Sequence, residues 1–430
     1  MYVIKKSSQL YAYVLLISLT AISMSCKNNK EKKTGDSPAA ETGDTSRPGS
    51  FAGDLRFLQQ KDSGLLVLSL PENKEAQVIL SPKYQAKVFT STADGPSGRS
   101  FGWVNYKAFS GPADPHMNAY GGENRIWLGP EGGKFSLFFQ PGARMDFEHW
   151  KTPEDFDTAP WKVVTAAAGT ATLSRQMELE NYAGTHLKLS VDRTVRILSA
   201  VEMTEQTGMD FTGKLSEVKA VAYTTENKLT NTGDKAWDEK TGMPCIWILD
   251  MFTPSPETVI VVPFKQTPAA DFNQVATADY FGQIGPDRLK HNDHVLYLKA
   301  DGKSRGKLGV RPTKAKQWIG SYGADTKVLT LLHFDLDSTA RYLNQQWNTD
   351  KPPFIGDAVN AYNDGPLEDG SQMGPFYEME SVSPAAFLTP GASMLHRQSV
   401  YHFTGSRSAL NAIAEKLLGV SLKDIENAFK

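Results

Sequence analysis

Thr185-His186-Leu187-Lys188-Leu189-Ser190-Val191, continued after Asp192 by Arg193-Thr194-Val195-Arg196-Ile197, alternates apolar and polar side chains. A period of two puts one face of an extended chain on a core and the other toward solvent, so the stretch reads as a half-buried β-strand. Runs of the same kind lie on both sides of it, at 65–70, 76–80 and 86–90 before it and at 218–229, 259–264, 294–298, 328–334 and 399–403 after it. Asn231-Thr232-Gly233-Asp234 and Asn363-Asp364-Gly365-Pro366 punctuate them as turns. The 35 glycines and 24 prolines are spread along the chain, which suits many short strands. Helical spacing is expected at 338–347 and at the C-terminus. There Leu410, Ile413, Ala414, Leu417 and Leu418 share a face, Gly419 stops the helix, and Ser421 caps a second short one that uses Leu422, Ile425 and Phe429. The expected fold is all-β: a large antiparallel β-sandwich over residues 51–405, with a helical segment over 406–430 packed on it.

The 430 residues carry 46 Lys and Arg against 48 Asp and Glu, a net charge of −2 that argues against a dedicated nucleic-acid binder. The two cysteines, Cys26 and Cys245, cannot build a disulfide framework or a thiolate zinc site. Lys5 and Lys6 precede an apolar run that ends in Ser23-Met24-Ser25-Cys26, the layout of a secretory signal. Small residues leading into a cysteine resemble a bacterial lipoprotein signal, although Ser23 stands where Leu is usual. The expectation is a signal peptide over 1–25, an acylated Cys26, and a disordered tether over 26–50 that lacks the apolar residues to fold. Such a protein is lipid-anchored in the bacterial cell envelope, facing the periplasm or the cell surface, and is expected to be a monomer. Cys245, within Pro244-Cys245-Ile246-Trp247-Ile248-Leu249, reads as a buried apolar residue.

Three polar clusters stand out. Residues 114–133 hold His116, Tyr120, Glu123, Asn124, Arg125 and Trp127 among glycines. A guanidinium fork grips hydroxyls or a carboxylate, and flat rings cover C–H faces, so this mixture suits a sugar. The bland alternative is a turn-rich loop in which Arg125 pairs with Glu123 or Glu131. In the second cluster, Phe376-Tyr377-Glu378-Met379-Glu380-Ser381, a strand would place Glu378 and Glu380 on one face, either at solvent or in a pocket where one serves as a base. The third runs from Trp347 to Gly365, where Asp357 and Asp364 suit hydroxyls, a cation or simple turn capping. The eight histidines form no metal motif, and nucleotide-loop and nucleophile-elbow patterns are missing. No metal and no cofactor is expected.

Taken in order, several of these segments resemble the galactose mutarotase-like (aldose 1-epimerase, β-supersandwich) superfamily, and more closely a Bacteroidota-type lipoprotein family of unknown function within it. Asn124-Arg125-Ile126, the strand 223–233 ending in Asn231-Thr232-Gly233, and Met379-Glu380-Ser381 followed by Pro384, Leu388-Thr389-Pro390-Gly391 and Val400-Tyr401-His402-Phe403 carry the likeness. The resemblance implies that Arg125 contacts a sugar and that Glu380, or Glu378, acts as general base. It also exposes departures. The family's general-acid histidine is missing from Gly242-Met243-Pro244-Cys245-Ile246-Trp247, and Gly129-Pro130-Glu131-Gly132-Gly133 replaces an early His-Gly-Gly. His116 substitutes only if folding brings it to Glu380. The expected function is therefore membrane-anchored carbohydrate binding in a mutarotase-like cleft. The alternatives are a sugar-active enzyme (epimerase-like, or a related lyase or hydrolase) and a structural lipoprotein with a vestigial cleft. The expected catalytic set is Glu380, Glu378 and His116. The expected binding set is Arg125, Asn124, Glu123, Trp127, Tyr120, Trp347 and Asp364.

Overall fold

The stretch 186–197 is one continuous strand, His186–Ile197, paired antiparallel with Thr170–Glu180 on one side and Lys219–Asn231 on the other. A computed structural model describes residues 47–266 and 272–430 of the chain. The expected signal peptide, Cys26 and most of the expected tether lie outside the described residues. The ten-stranded sheet runs, in spatial order, Leu289–His291, Val295–Lys299, Thr258–Pro263, Trp318–Gly323, Val328–Phe334, Ser393–Thr404, Lys219–Asn231, His186–Ile197, Thr170–Glu180 and Lys162–Ala167. A six-stranded sheet follows the order Ala276–Thr277, Gly306–Val310, Val359–Asn363, Tyr377–Val382, Cys245–Phe252 and Arg125–Gly129. A smaller sheet joins Leu66–Leu70, Asn73–Ser81 and Lys87–Thr92. All their pairings are antiparallel, so the all-β sandwich stands.

The principal core lies between the two larger sheets. Leu187, Leu189, Val191, Val195 and Ile197 meet Ile126, Ile246, Ile248, Met379 and Ala361 there. The strand Thr258–Pro263 is buried throughout, with apolar residues from Val259 to Pro263, because both of its faces are covered. Ile260 and Val262 enter the inter-sheet core, while Val259 and Val261 face the C-terminal helices. Those helices, Arg407–Leu418 and Leu422–Asn427, close over the outer face of the ten-stranded sheet with Leu410, Ile413, Leu418, Leu422 and Ile425. Gly419 ends the first at φ +75°, a left-handed turn that suits glycine, and the Ser421 side chain accepts from the Asp424 N–H at the start of the second.

The body holds two helices that the sequence reading did not name and lacks one that it expected. The body holds a helix at Phe51–Lys61 that strand-like periodicity did not reveal; its N-cap is Ser50, a buried residue and not the end of a solvated tether. A second helix, Ala200–Thr207, starts in a Ser199–Glu202 capping box. The stretch 338–347 is irregular instead of helical. Asp337 accepts hydrogen bonds from the N–H groups of Thr339 (2.9 Å) and Ala340 (3.2 Å), a capped turn that the chain does not continue into a helix.

Candidate functional site

One face of the six-stranded sheet packs on the core, and the other carries a cleft. Arg125 pairs with Leu249, and Leu249 with Glu380; Met251 pairs with Glu378, Glu378 with Tyr362, and Tyr362 with Lys307. Period two then gathers Arg125, Trp127, Trp247, Leu249, Glu378, Glu380, Tyr362 and Lys307 on the cleft face.

Two ion pairs stand side by side on that face. Arg125 Nη2 donates to Glu378 Oε1 at 2.6 Å, and the guanidinium lies 5.0 Å from the Trp127 ring centroid. Lys307 Nζ donates to Glu380 Oε2 at 2.9 Å, Trp247 Nε1 donates to the same oxygen at 2.8 Å, and the ammonium sits 4.7 Å over the Trp247 ring. A third carboxylate, Glu131, reaches in from the loop after Arg125–Gly129. A third cation, Arg305, stacks on Phe281 at 3.8 Å just before Gly306–Val310. Trp150 and Trp347 stack at 5.9 Å to form a wall, and Trp127 meets Trp247 edge-on at 5.5 Å. The cleft holds about 100 Å³, and Phe147, 63% exposed, extends its rim outward.

Burial pushes the Glu378 carboxyl up to about 7; the Glu380 charge adds to this and Arg125 opposes it. Burial also raises Glu131, against the Lys307 charge. Burial by itself would lower the Lys307 ammonium, but Glu380 and Glu131 outweigh it and hold it above its ordinary range. The cleft thus pairs a firmly charged lysine with a carboxyl that changes state near neutrality.

Of the residues singled out in the sequence, Arg125, Trp127, Trp347 and Glu378 line the cleft together. Glu380 lies behind them, fully buried, with Oε1 unpartnered among the described residues. The carboxylate that opens onto the cleft is therefore Glu378. His116 does not line it: its Nδ1 meets the Trp150 carbonyl at 2.6 Å, and its ring stacks on Phe147 at 4.6 Å, so it braces the rim. Glu123 and Asn124 are in the interior. Glu123 accepts from Ser91 at 2.7 Å and lies 3.0 Å from His402 Nε2, while Asn124 donates to Asp250 at 2.7 Å. Asn124 immediately precedes Arg125, so alternation turns it to the opposite face. Tyr120 packs on Phe109 (4.5 Å) and Tyr84 (5.1 Å), away from the cleft. Asp364 is buried, accepts from the Tyr362 hydroxyl (3.0 Å) and the Gly374 N–H (2.8 Å), and clamps a loop. Cys245 is buried, and desolvation pushes its thiol up to about 12.

Sequence reasoning missed Lys307, Glu131, Trp150, Trp247 and Arg305. Lys307 left a signal: it is the lone charge in the strand Gly306-Lys307-Leu308-Gly309-Val310, and a lysine buried in a strand needs a partner. Trp247 was concealed in an apolar run whose alternate residues, Ile246 and Ile248, do serve the core.

These features define a class: a large antiparallel β-sandwich with a charge-balanced, tryptophan-walled cleft on the outer face of one sheet. The chain belongs to the family of unknown function DUF6786, whose model matches residues 49–429. Among solved structures it is similar to a galactose mutarotase-like protein from Lactobacillus casei, at 10% identity over 79% of this chain and 100% of that one with a TM-score of 0.45. It is also similar to a galactose mutarotase related enzyme from Lactobacillus acidophilus (9% identity, 79% and 97%, TM-score 0.43) and to the Slr1438 protein from Synechocystis (12% identity, 79% and 96%, TM-score 0.48). Two of these three carry the mutarotase name that the sequence motifs resemble; the likeness is partial, and the fold is read from the strand order itself. No curated protein matches the chain.

Proposed function

We propose that this cleft binds carbohydrate, and that the protein is a membrane-anchored carbohydrate-binding protein of the cell envelope. The supporting observation is the pair of ion pairs, Arg125–Glu378 and Lys307–Glu380, on one sheet face beneath tryptophan walls. Sugar hydroxyls both donate and accept, and so match guanidinium and carboxylate, while sugar C–H faces match aromatic rings. Three carboxyl groups interleave with three cations in the lining, and this mixture of acceptors and donors suits a polyhydroxy ligand. The anchor rests on the cysteine signal at Cys26 alone.

A second reading, turnover of the sugar, has one specific observation in its favour. Glu378 faces the cleft with a pKa near neutrality, where a general base works best. Against it, Lys307 is held charged and is a poor acid at neutral pH, and His116 is occupied at the rim. Binding without turnover is therefore preferred.

Calorimetric titration with mono- and oligosaccharides tests both readings. Losing a charged hydrogen bond costs about 1.5–3 kcal/mol, so Arg125→Ala should weaken binding roughly 10- to 100-fold. Glu378→Gln should keep part of the affinity. Polarimetry on a freshly dissolved anomer, if it shows catalysis by the wild type that Glu378→Gln abolishes, would establish the enzyme instead.

A further inference from the structure

A larger cavity, of about 360 Å³, opens beside the cleft and is used by nothing described so far. Asp357, Asn344, Arg311, Gln346 and Ile355 are among the residues that line it, the first two buried. Its size falls in the range of small-molecule sites.

Two of its polar groups are buried and unspent. Asp357 is 3% exposed and packs against Gly309, where a Cβ would come within 2.2 Å of its Oδ2. Oδ2 accepts from the Tyr280 hydroxyl at 2.7 Å, but Oδ1 has no hydrogen-bond partner among the described residues. The Thr277 hydroxyl favours the charged carboxylate without reaching hydrogen-bond geometry. Asn344 is 6% exposed; its Oδ1 accepts from the Gln346 N–H at 3.1 Å, which fixes the amide and leaves Nδ2 without a partner among the described residues. Native interiors seldom leave such groups unpaired, and an acceptor and a donor bordering one cavity point to a ligand that supplies both. A cation would meet the Asn344 amide hydrogens, and an anion would meet the Asp357 carboxylate. A hydroxyl donates and accepts at once.

The cavity also adjoins the cleft through one side chain. The half-buried Tyr280 ring lies 5.5 Å from Lys307 Nζ in the cleft, and its hydroxyl binds Asp357 in the cavity. Asn360, in register with Glu380, donates to the same hydroxyl at 3.4 Å. The next residue, Phe281, lines the cleft.

We infer that the Asp357–Asn344 cavity is a second saccharide subsite, with Tyr280 as the platform between the two, so that the ligand is an oligosaccharide and not a monosaccharide. This rests on the carbohydrate reading of the cleft. The test is calorimetry with glucose, galactose, mannose, xylose and galacturonate and with the di- to tetrasaccharides of each. The wild type, Asp357→Asn, Asn344→Ala and Arg125→Ala are compared, and melting temperatures report folding. Asp357→Asn keeps the shape but disturbs the free acceptor.

The inference predicts that an oligosaccharide binds the wild type at least tenfold more tightly than its monosaccharide. Asp357→Asn and Asn344→Ala should each remove most of that advantage and leave monosaccharide affinity unchanged. If oligosaccharides bind but neither variant alters the advantage, the subsite is overturned and the cleft reading stands. If Arg125→Ala has no effect while Asp357→Asn abolishes all binding, the cleft reading falls and with it the two-subsite arrangement. If no sugar of the panel binds the wild type, both fall.

Discussion

Glu378 and Lys307 show how one residue's neighbours set its chemistry. Glu378 has a pKa of about 7 in the folded protein against an ordinary 4.5. The folded state therefore holds this proton over a window in which the unfolded chain has released it. The stability that the proton confers is complete below about pH 4.5 and is lost as pH rises through 7. The melting temperature of the wild type minus that of Glu378→Gln should fall between pH 4.5 and 7.5 in scanning calorimetry; a flat difference would mean the carboxyl is ionised throughout. Lys307 compensates a carboxylate that is wholly buried. Lys307→Met should cost about 3–5 kcal/mol in urea denaturation, and adding Glu380→Gln should recover much of it, because the cost is that of an uncompensated buried charge.

At the level of the element, alternation decides almost everything. Arg125 and Trp127, two apart on one strand, reach the cleft, and Asn124, one residue before Arg125, turns to the core. This part of the site was legible: a strand reading of 376–381 already puts Glu378 and Glu380 on one face. The helices were legible only where their signals were local. Gly419 and Ser421 marked the tail correctly, whereas Phe51–Lys61 mixes Gly53, Asp54 and Arg56 into its apolar spacing and reads weakly as a helix. Gly419 has open space around its Cα, so Gly419→Ala meets no clash and only the left-handed backbone penalty. Thermal or urea denaturation should show a loss of about 1–2 kcal/mol. No loss would mean that the turn relaxes out of the left-handed region.

Across the whole molecule, the two large sheets are tied together by polar groups as well as by apolar packing. Arg193, fully buried on the ten-stranded sheet, donates to the Ala86 carbonyl at 2.9 Å, to Asn227 Oδ1 at 2.6 Å and to the side chain of Asn124, which precedes the cleft strand. Asn124 in turn holds Asp250 on the neighbouring strand of the six-stranded sheet. The face opposite the cleft is thus fixed where Arg125 must be placed, and that is the role of Asn124 in this fold. The other whole-molecule question is where the body is held. No described helix is long and apolar enough to cross a membrane. If acyl chains on Cys26 are the anchor, Cys26→Ser should move the protein from the membrane to the soluble fraction on cell fractionation, and an unchanged membrane fraction would place the anchor elsewhere.

The sequence by itself determined the strand-rich body, the capped helical tail, the buried Cys245 and several of the charged and aromatic residue types of the cleft. Periodicity, turn chemistry and capping act over a few residues, so they can be read locally. The tertiary structure alone decided which of those residues meet. Arg125 and Glu378 are 253 positions apart in the chain and 2.6 Å apart in the fold. Lys307 and Trp247 converge on Glu380 from two further strands, and Glu123, Tyr120 and Asp364 turn away although their residue types suit the site. Strand order and register set these distances. They follow from how sixteen strands of two sheets share one core, which is a property of the whole chain and of no segment within it.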